Sequence, residues 1–191
     1  DILYAYNEYT KSLMSSGERT LHNTLSSDFS KIMDKLGVIE EQHHKENIKK
    51  FLRAIEISKE IELENIEELI NGKYEIDRSE IIETIQAGRE KLVSIQGNAG
   101  SGKSVVCKKL LKGKEYVLVT RAENLSTGKK VNELWDCDVE DAILWLENKP
   151  LYIFIDAIEF IADCGDNAFP LLQEIYRLAA KYSNVSIITS C

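Results

Sequence analysis

The sequence lacks the features that mark membrane-spanning, secreted and nucleic-acid-coating proteins. No apolar run reaches the roughly 18 residues that would span a bilayer, and the first residues show no signal-peptide pattern. The four cysteines, Cys107, Cys137, Cys164 and Cys191, form no CxxC pair, so we expect free thiols in a reducing compartment. The net charge of −8 opposes binding to phosphate backbones and membrane surfaces. We therefore expect a cytoplasmic protein with no membrane partner, and nothing in the sequence points directly to a nucleic-acid partner.

The chain is long enough for one α/β domain and a smaller appendage, with 191 residues of which 43% are hydrophobic. Residues 1–72 predict an all-helical segment of unknown role, because apolar residues between Leu21 and Leu36 recur at helical spacing and Gly37 is a typical helix end. Residues 73–191 predict a second domain. The chain starts without methionine and stops directly after a strand-like run. We therefore expect a piece of a longer protein, whose other domains would be partners.

Helical and strand patterns alternate through residues 73–191, which predicts an α/β fold with a parallel sheet covered by helices on both faces. Four apolar runs predict strands over residues 92–96, 116–120, 151–155 and 185–189. Helices are predicted over residues 78–89, 104–111, 139–147 and 171–182. Asp138 is the predicted N-cap of the third of these helices.

A glycine-rich segment after the first strand carries the most specific motif of the chain. Its eight residues match GxxxxGK[ST] in full: Gly97, Asn98, Ala99, Gly100, Ser101, Gly102, Lys103 and Ser104. The glycines allow backbone N–H groups to surround phosphate, and the following helix adds the positive end of its dipole. Lys103 would neutralise the β- and γ-phosphates, and the Ser104 hydroxyl would bind Mg²⁺. The segment therefore predicts a P-loop that binds a nucleoside triphosphate, with Val105 as a further contact.

The third predicted strand ends in an aspartate, as expected of a Walker B motif. Asp156 would need a partner for its carboxylate, and Mg²⁺ supplies one. Glu159 follows three residues later, where a turn could direct it to the attacking water as general base. The alternative interpretations are an exposed loop acid for Glu159 and a helix cap or turn residue for Asp156. Thr189 or Ser190 at the end of the fourth strand could bind the γ-phosphate or that water, because ligands of such sheets bind at the carboxyl ends of strands.

Together these motifs resemble the STAND class of P-loop ATPases, which includes NACHT-type and NB-ARC-type switches. The resemblance rests on residues 97–104, on Asp156-Ala157-Ile158-Glu159 and on Ile187-Ile188-Thr189-Ser190. The class also has a hydrophobic-x-Arg-x-Glu element before the loop, which residues 76–80 match. The resemblance implies that Arg78 lies near the base or ribose. Cys191 stands where the class usually has a sensor arginine.

The resemblance implies a regulated switch that binds ATP or ADP with Mg²⁺, hydrolyses ATP slowly and oligomerises when ATP-bound. It also implies a strand order of 2-3-4-1, with the fourth strand inserted between the first and the third, and an incomplete sheet. A small-molecule kinase is an alternative, although no substrate pocket or lid is recognisable. A GTPase is disfavoured because Asn148-Lys149-Pro150-Leu151 lacks the aspartate that would read guanine. A scaffold that binds nucleotide without hydrolysing it remains a further alternative.

Overall fold

The computed structural model describes residues 16–68, 77–88, 90–127, 129–162 and 168–191. The chain divides into two compact units, Asp1–Lys45 and Glu46–Cys191. The described part of the first unit is helical. The second unit contains the sheet, all the predicted site residues and the last part of the first helix.

The first described helix, α1, covers Ser16–Ile57 without interruption. The predicted helix end at Gly37 is therefore wrong. A glycine ends a helix when it adopts the left-handed conformation, and Gly37 is not among the glycines with positive φ. A helical glycine costs only about 1 kcal/mol relative to alanine, which the flanking turns of a long helix tolerate.

The boundary predicted between residues 72 and 73 lies outside the described residues. The second unit begins earlier, at Glu46, because Ile48, Phe51 and Ile55 of α1 are buried in the same apolar cluster as the strands. A π-helical turn, Ser58–Leu63, follows α1. The next helix, α2, is Ser79–Gly88; Arg89 at the end of the predicted helix lies outside the described residues.

The sheet has four parallel strands in the order β1-β4-β3-β2. Their bounds are Leu92–Ile95, Tyr116–Arg121, Leu151–Asp156 and Val185–Ser190 for β1 to β4. All four start at the predicted residue, and their ends agree to within one residue. The predicted order 2-3-4-1 is confirmed, since it is the observed order read from the other edge. The insertion of β4 between β1 and β3 brings the ends of these three strands side by side.

Helices cover both faces of the sheet, as predicted. Alternate strand residues fall into two apolar clusters, because successive side chains point to opposite faces. Ile153 and Ile187 belong to the larger cluster, together with residues of α1 and of two later helices, α6 (Val139–Trp145) and α7 (Ala168–Lys181). Phe154 and Ile188 belong to the smaller cluster, with the helix that follows β1, α3 (Lys103–Leu111). Phe154, Ile188 and the alternate residues of their strands therefore lie on the side of the sheet that α3 covers.

The remaining connections are short helices that periodicity did not predict: α4 (Ala122–Leu125), α5 (Val131–Leu134) and a 3₁₀ turn, Ile158–Ala162. The N-cap predicted at Asp138 is confirmed, since its side chain accepts a hydrogen bond from the Asp141 N–H at 3.1 Å. Within the described segments, no helix combines the length and hydropathy needed to cross a membrane.

Candidate functional site

The glycine-rich loop connects β1 to α3 at the carboxyl end of the sheet. Its start is fixed to β4, because the Gly97 N–H donates to the Cys191 carbonyl at 3.1 Å and the Cys191 N–H donates to the Ile95 carbonyl at 2.9 Å. Gly100 and Gly102 have φ of 74° and 84°, values that residues with a Cβ rarely adopt. The loop thus uses its glycines for a backbone course that other residues would resist.

The first position of the loop lies against the Ser101 side chain, which would have to move to admit a Cβ. A Cβ on Gly97 would lie 2.7 Å from the Ser101 Oγ, well inside van der Waals contact. The Lys103 Nζ reaches back across the loop and donates to the carbonyls of Gly97 at 2.9 Å and Asn98 at 3.2 Å. The ammonium group therefore lies over the loop, at the positive end of α3. Val105 follows in the first turn of α3 and is half-buried.

The end of the loop meets the end of β3. The Ser104 Oγ donates to the Asp156 Oδ1 at 2.9 Å, across a separation of 52 residues. The Ser190 Oγ donates to the same carboxylate oxygen and accepts from the Ala157 N–H at 2.8 Å. Three segments, from the loop, β3 and β4, thus converge on one carboxylate.

Ser190, rather than Thr189, supplies the hydroxyl of β4 at this point. Side chains alternate along a strand, and Ile188 packs on the side of α3, so Ser190 shares that side and Thr189 faces the other. Thr189 is buried and is not brought together with Ser104 and Asp156. The prediction left Thr189 and Ser190 as alternatives, because sequence alone did not determine which of the two hydroxyls shares a face with Asp156.

Glu159 lies in the 3₁₀ turn beyond the strand and is exposed. Ala157, directly before the turn, has a φ of 56°, and the Phe160 N–H donates to its carbonyl at 3.1 Å. A left-handed non-glycine residue directly after Asp156 is a strained feature of the kind that clusters at functional sites. Among the contacts of the described residues, none joins Glu159 to Ser104, Asp156 or Ser190. Its role as general base stays a prediction.

Arg78 contacts the loop itself. Its Nη2 donates to the Ser101 carbonyl at 2.6 Å, and the guanidinium lies 3.8 Å from the position of a Cβ on Gly102. The Arg78 carbonyl accepts from the N–H groups of Ile81 and Ile82 at the start of α2. The residue therefore joins α2 to the middle of the loop. Ile76, the first residue of the element matched to the STAND class, lies outside the described residues.

Cys107 of α3 is fully buried, and its environment makes it unreactive. Burial, with a smaller contribution from the negative charge of Asp156, raises the pKa of the Cys107 thiol to about 12. The thiolate is the form that attacks electrophiles and binds metals. At neutral pH Cys107 is therefore a protonated core residue, and the polar groups that meet at Asp156 are the hydroxyls of Ser104 and Ser190.

The site has no all-protein metal cage in the part of the chain that the structure describes, where no three His, Cys, Asp or Glu residues are grouped to hold a metal ion. Comparison of the sequence with protein-family models and with curated proteins found no match. The functional interpretation consequently depends on the loop, the carboxylate and their geometry.

Proposed function

We propose that the second unit binds ATP as its magnesium complex in the loop of residues 97–104. The β- and γ-phosphates would take the place of the Gly97 and Asn98 carbonyls as partners of the Lys103 Nζ. The loop N–H groups and the start of α3 would supply the remaining positive field. A formal charge of −8 on the whole chain makes such a local concentration of positive potential necessary for binding a polyphosphate.

The observation that carries the proposal is the hydrogen bond between Ser104 and Asp156. A GxxxxGK[ST] pattern alone arises by chance, and so does an apolar strand that ends in aspartate. Their meeting at 2.9 Å across 52 residues is a separate requirement, because it depends on the strand order and on the register of β3. Both motifs also lie at the carboxyl end of the strands, where open α/β sheets bind ligands.

The residues at this point fit Mg²⁺ by the chemistry of their donor atoms. Mg²⁺ prefers oxygen ligands, keeps several waters and is usually held by one or two carboxylates together with substrate phosphates. Ser104 and Asp156 supply one hydroxyl and one carboxylate within hydrogen-bonding distance, so a group of three acidic ligands is not required. When bound, the ion would neutralise charge on the phosphate oxygens. Ser190 would hold the Asp156 carboxylate in place.

The magnesium dependence of ATP affinity tests this proposal. In the wild type we expect ATP to bind about tenfold more tightly with Mg²⁺ than with EDTA, which corresponds to about one charge-assisted contact. In Asp156→Asn this difference should disappear, because the amide keeps the shape of the side chain and loses its charge. Calorimetry of both proteins in both buffers provides the measurement.

Asp136→Asn is the matched control, because it makes the same change at an exposed carboxylate that pairs with Lys50. Its φ of 50° is one that asparagine also tolerates. The control should keep the full magnesium effect. An Asp156→Asn protein with an undiminished magnesium effect would remove Asp156 from the site.

We further propose that the protein is a slowly hydrolysing switch of the STAND type, regulated by its nucleotide state. The strand order and the pattern Asp156-Ala157-Ile158-Glu159 support this, and the left-handed Ala157 gives the pattern a distinctive turn. Other domains of a longer chain and oligomerisation in the ATP-bound state would belong to such a switch. A small-molecule kinase has less support, since β4 lies between β1 and β3, and this insertion distinguishes P-loop ATPases with a catalytic glutamate from P-loop kinases and GTPases.

A nucleotide-binding scaffold without hydrolysis is the second candidate. Among the described residues Glu159 has no contact with Ser104, Asp156 or Ser190, which favours it, because a general base must reach the attacking water. Cys191 favours it as well: its backbone forms hydrogen bonds with Gly97 and Ile95, and it stands where the STAND class usually has a sensor arginine. The two candidates share the binding site and differ in turnover.

Substitution of Arg78 shows whether this residue acts on the loop or on the base of the nucleotide. If Arg78 acts through the Ser101 carbonyl, Arg78→Ala should weaken ATP and inorganic tripolyphosphate equally, by roughly 3- to 10-fold, the worth of one partly exposed hydrogen bond. Competition titrations with both ligands measure this, and Arg78→Lys should recover part of the loss. A loss confined to ATP would instead assign Arg78 to the base or ribose, as the STAND resemblance implies.

A further inference from the structure

The described part of the first unit carries a row of large apolar side chains that are exposed. Five of them follow one another at spacings of four, three, four and three residues along α1: Leu25, Phe29, Ile32, Leu36 and Ile39. Between 47% and 64% of the accessible surface of each remains exposed. We call these five residues the apolar seam. Contiguous exposed apolar surface of this kind marks an interaction site.

The spacing of the seam is that of a coiled coil. Apolar residues alternating every three and four positions have a mean period of 3.5, which keeps the row in line on a supercoiled helix. Because the step from an a to a d position is three residues, Phe29 and Leu36 occupy a positions. Leu25, Ile32 and Ile39 occupy d positions. A helix that only covered a globular core would instead show a broader stripe with a period of 3.6.

We propose that the apolar seam packs against the seams of further copies of this chain in a parallel helical bundle. The flanking charges fit this arrangement. Lys35 lies at a g position and Glu40 at the e position five residues later, both exposed. In a parallel bundle, a g residue of one helix meets the e residue of the next heptad on its neighbour. Lys35 and Glu40 therefore pair between every two adjacent chains.

The identity of the seam residues sets the number of copies. Leucine at a with isoleucine at d shifts parallel coiled coils from two strands to three or four, and Leu36 with Ile39 has this pattern. Met33, at an e position beside the seam, is also apolar and 52% exposed. It widens the buried face, as larger bundles require. The bundle involves only the first unit and does not depend on nucleotide.

Sedimentation velocity and light scattering over a range of concentrations test the proposal. The wild-type chain should assemble, with increasing concentration, to three or four times its 21.7 kDa mass. Ile32→Glu places a charge within the seam and should weaken assembly at least tenfold. Ser27→Glu adds the same charge at an f position, opposite the seam, and should leave assembly unchanged. The melting temperature of the sheet unit should be the same in all three proteins.

A charge exchange tests the orientation. Lys35→Glu should weaken assembly severalfold for each pair, and combining it with Glu40→Lys should restore assembly. In an antiparallel bundle Lys35 would meet Asp28, so Glu40→Lys would not restore assembly, and the parallel arrangement would be refuted.

A wild type that stays monomeric, or that assembles unaffected by Ile32→Glu, refutes the bundle. The bundle is also refuted if the protein is monomeric and Ile32→Glu destabilises that monomer, because the seam would then be covered by the chain itself. A mass of two chains refutes the copy number.

Discussion

Replacing Lys103 with alanine is expected to weaken ATP binding by roughly 10- to 150-fold. The Lys103 Nζ already lies over the loop, where it donates to two carbonyls of residues 97 and 98. Phosphate oxygens carry full charge and would form stronger, charge-assisted hydrogen bonds than these carbonyls do. Losing such a contact costs about 1.5–3 kcal/mol, which gives the stated range. Calorimetric titration of ATP into the folded variant measures the loss.

Lys112→Ala provides the control for this variant. Lys112 follows the last residue of α3, at the opposite end from the loop, and it is exposed. The change removes the same charge from the same unit, so it separates the local contact from the overall charge of the chain. We expect wild-type affinity in this control. Equal affinities of the Lys103 variant and the wild type would eliminate the proposed phosphate contact.

Glu159→Gln is expected to leave ATP binding unchanged and to slow hydrolysis by about 100-fold or more. The amide keeps the size of the side chain and loses the basicity that would activate water, and general-base help is worth about 10²- to 10⁴-fold. Glu159 is exposed, which leaves it accessible to the bound nucleotide. Single-turnover hydrolysis, with binding measured separately, gives both quantities. The assay requires a form of the protein with measurable turnover.

Glu133→Gln makes the same substitution at an exposed glutamate of α5 and should have no effect on either quantity. Unchanged hydrolysis in Glu159→Gln would reduce Glu159 to a surface acid. Absence of turnover in the wild type, even with its activating signal, would favour the nucleotide-binding scaffold over the switch.

The sheet was the part of the fold most accessible from sequence. Three of its strands are largely buried, and β1 at the edge is partly buried; each is a short, mostly apolar run with clear ends, and all four were located. Strand order came from the resemblance, since apolar runs do not say which strands are neighbours. The helix end at Gly37 failed for a different reason. Glycine lowers helix propensity but does not by itself end a helix. Whether the helix ends at a glycine depends on the conformation of the residues beyond it.

The site was predictable where one residue type is required at a fixed spacing, and less so where faces matter. Lys103, Ser104 and Asp156 follow from their motifs, and the structure brings the last two into contact. Ser190 required knowledge of which side of β4 faces α3, which depends on register. Arg78 was recognisable as part of the site region, but its contact with the Ser101 carbonyl depends on a loop course that sequence does not specify.

A crystal structure with a non-hydrolysable ATP analogue and Mg²⁺ tests the central claim most directly. We predict that the β-phosphate lies within the loop of residues 97–104, in contact with the Lys103 Nζ. The hydrogen bond between Ser104 and Asp156 should be replaced by Mg²⁺ on the Ser104 hydroxyl, with Asp156 bound to the ion or to its waters. A nucleotide bound elsewhere on the protein, or a loop that stays empty at saturating ligand, would contradict the account.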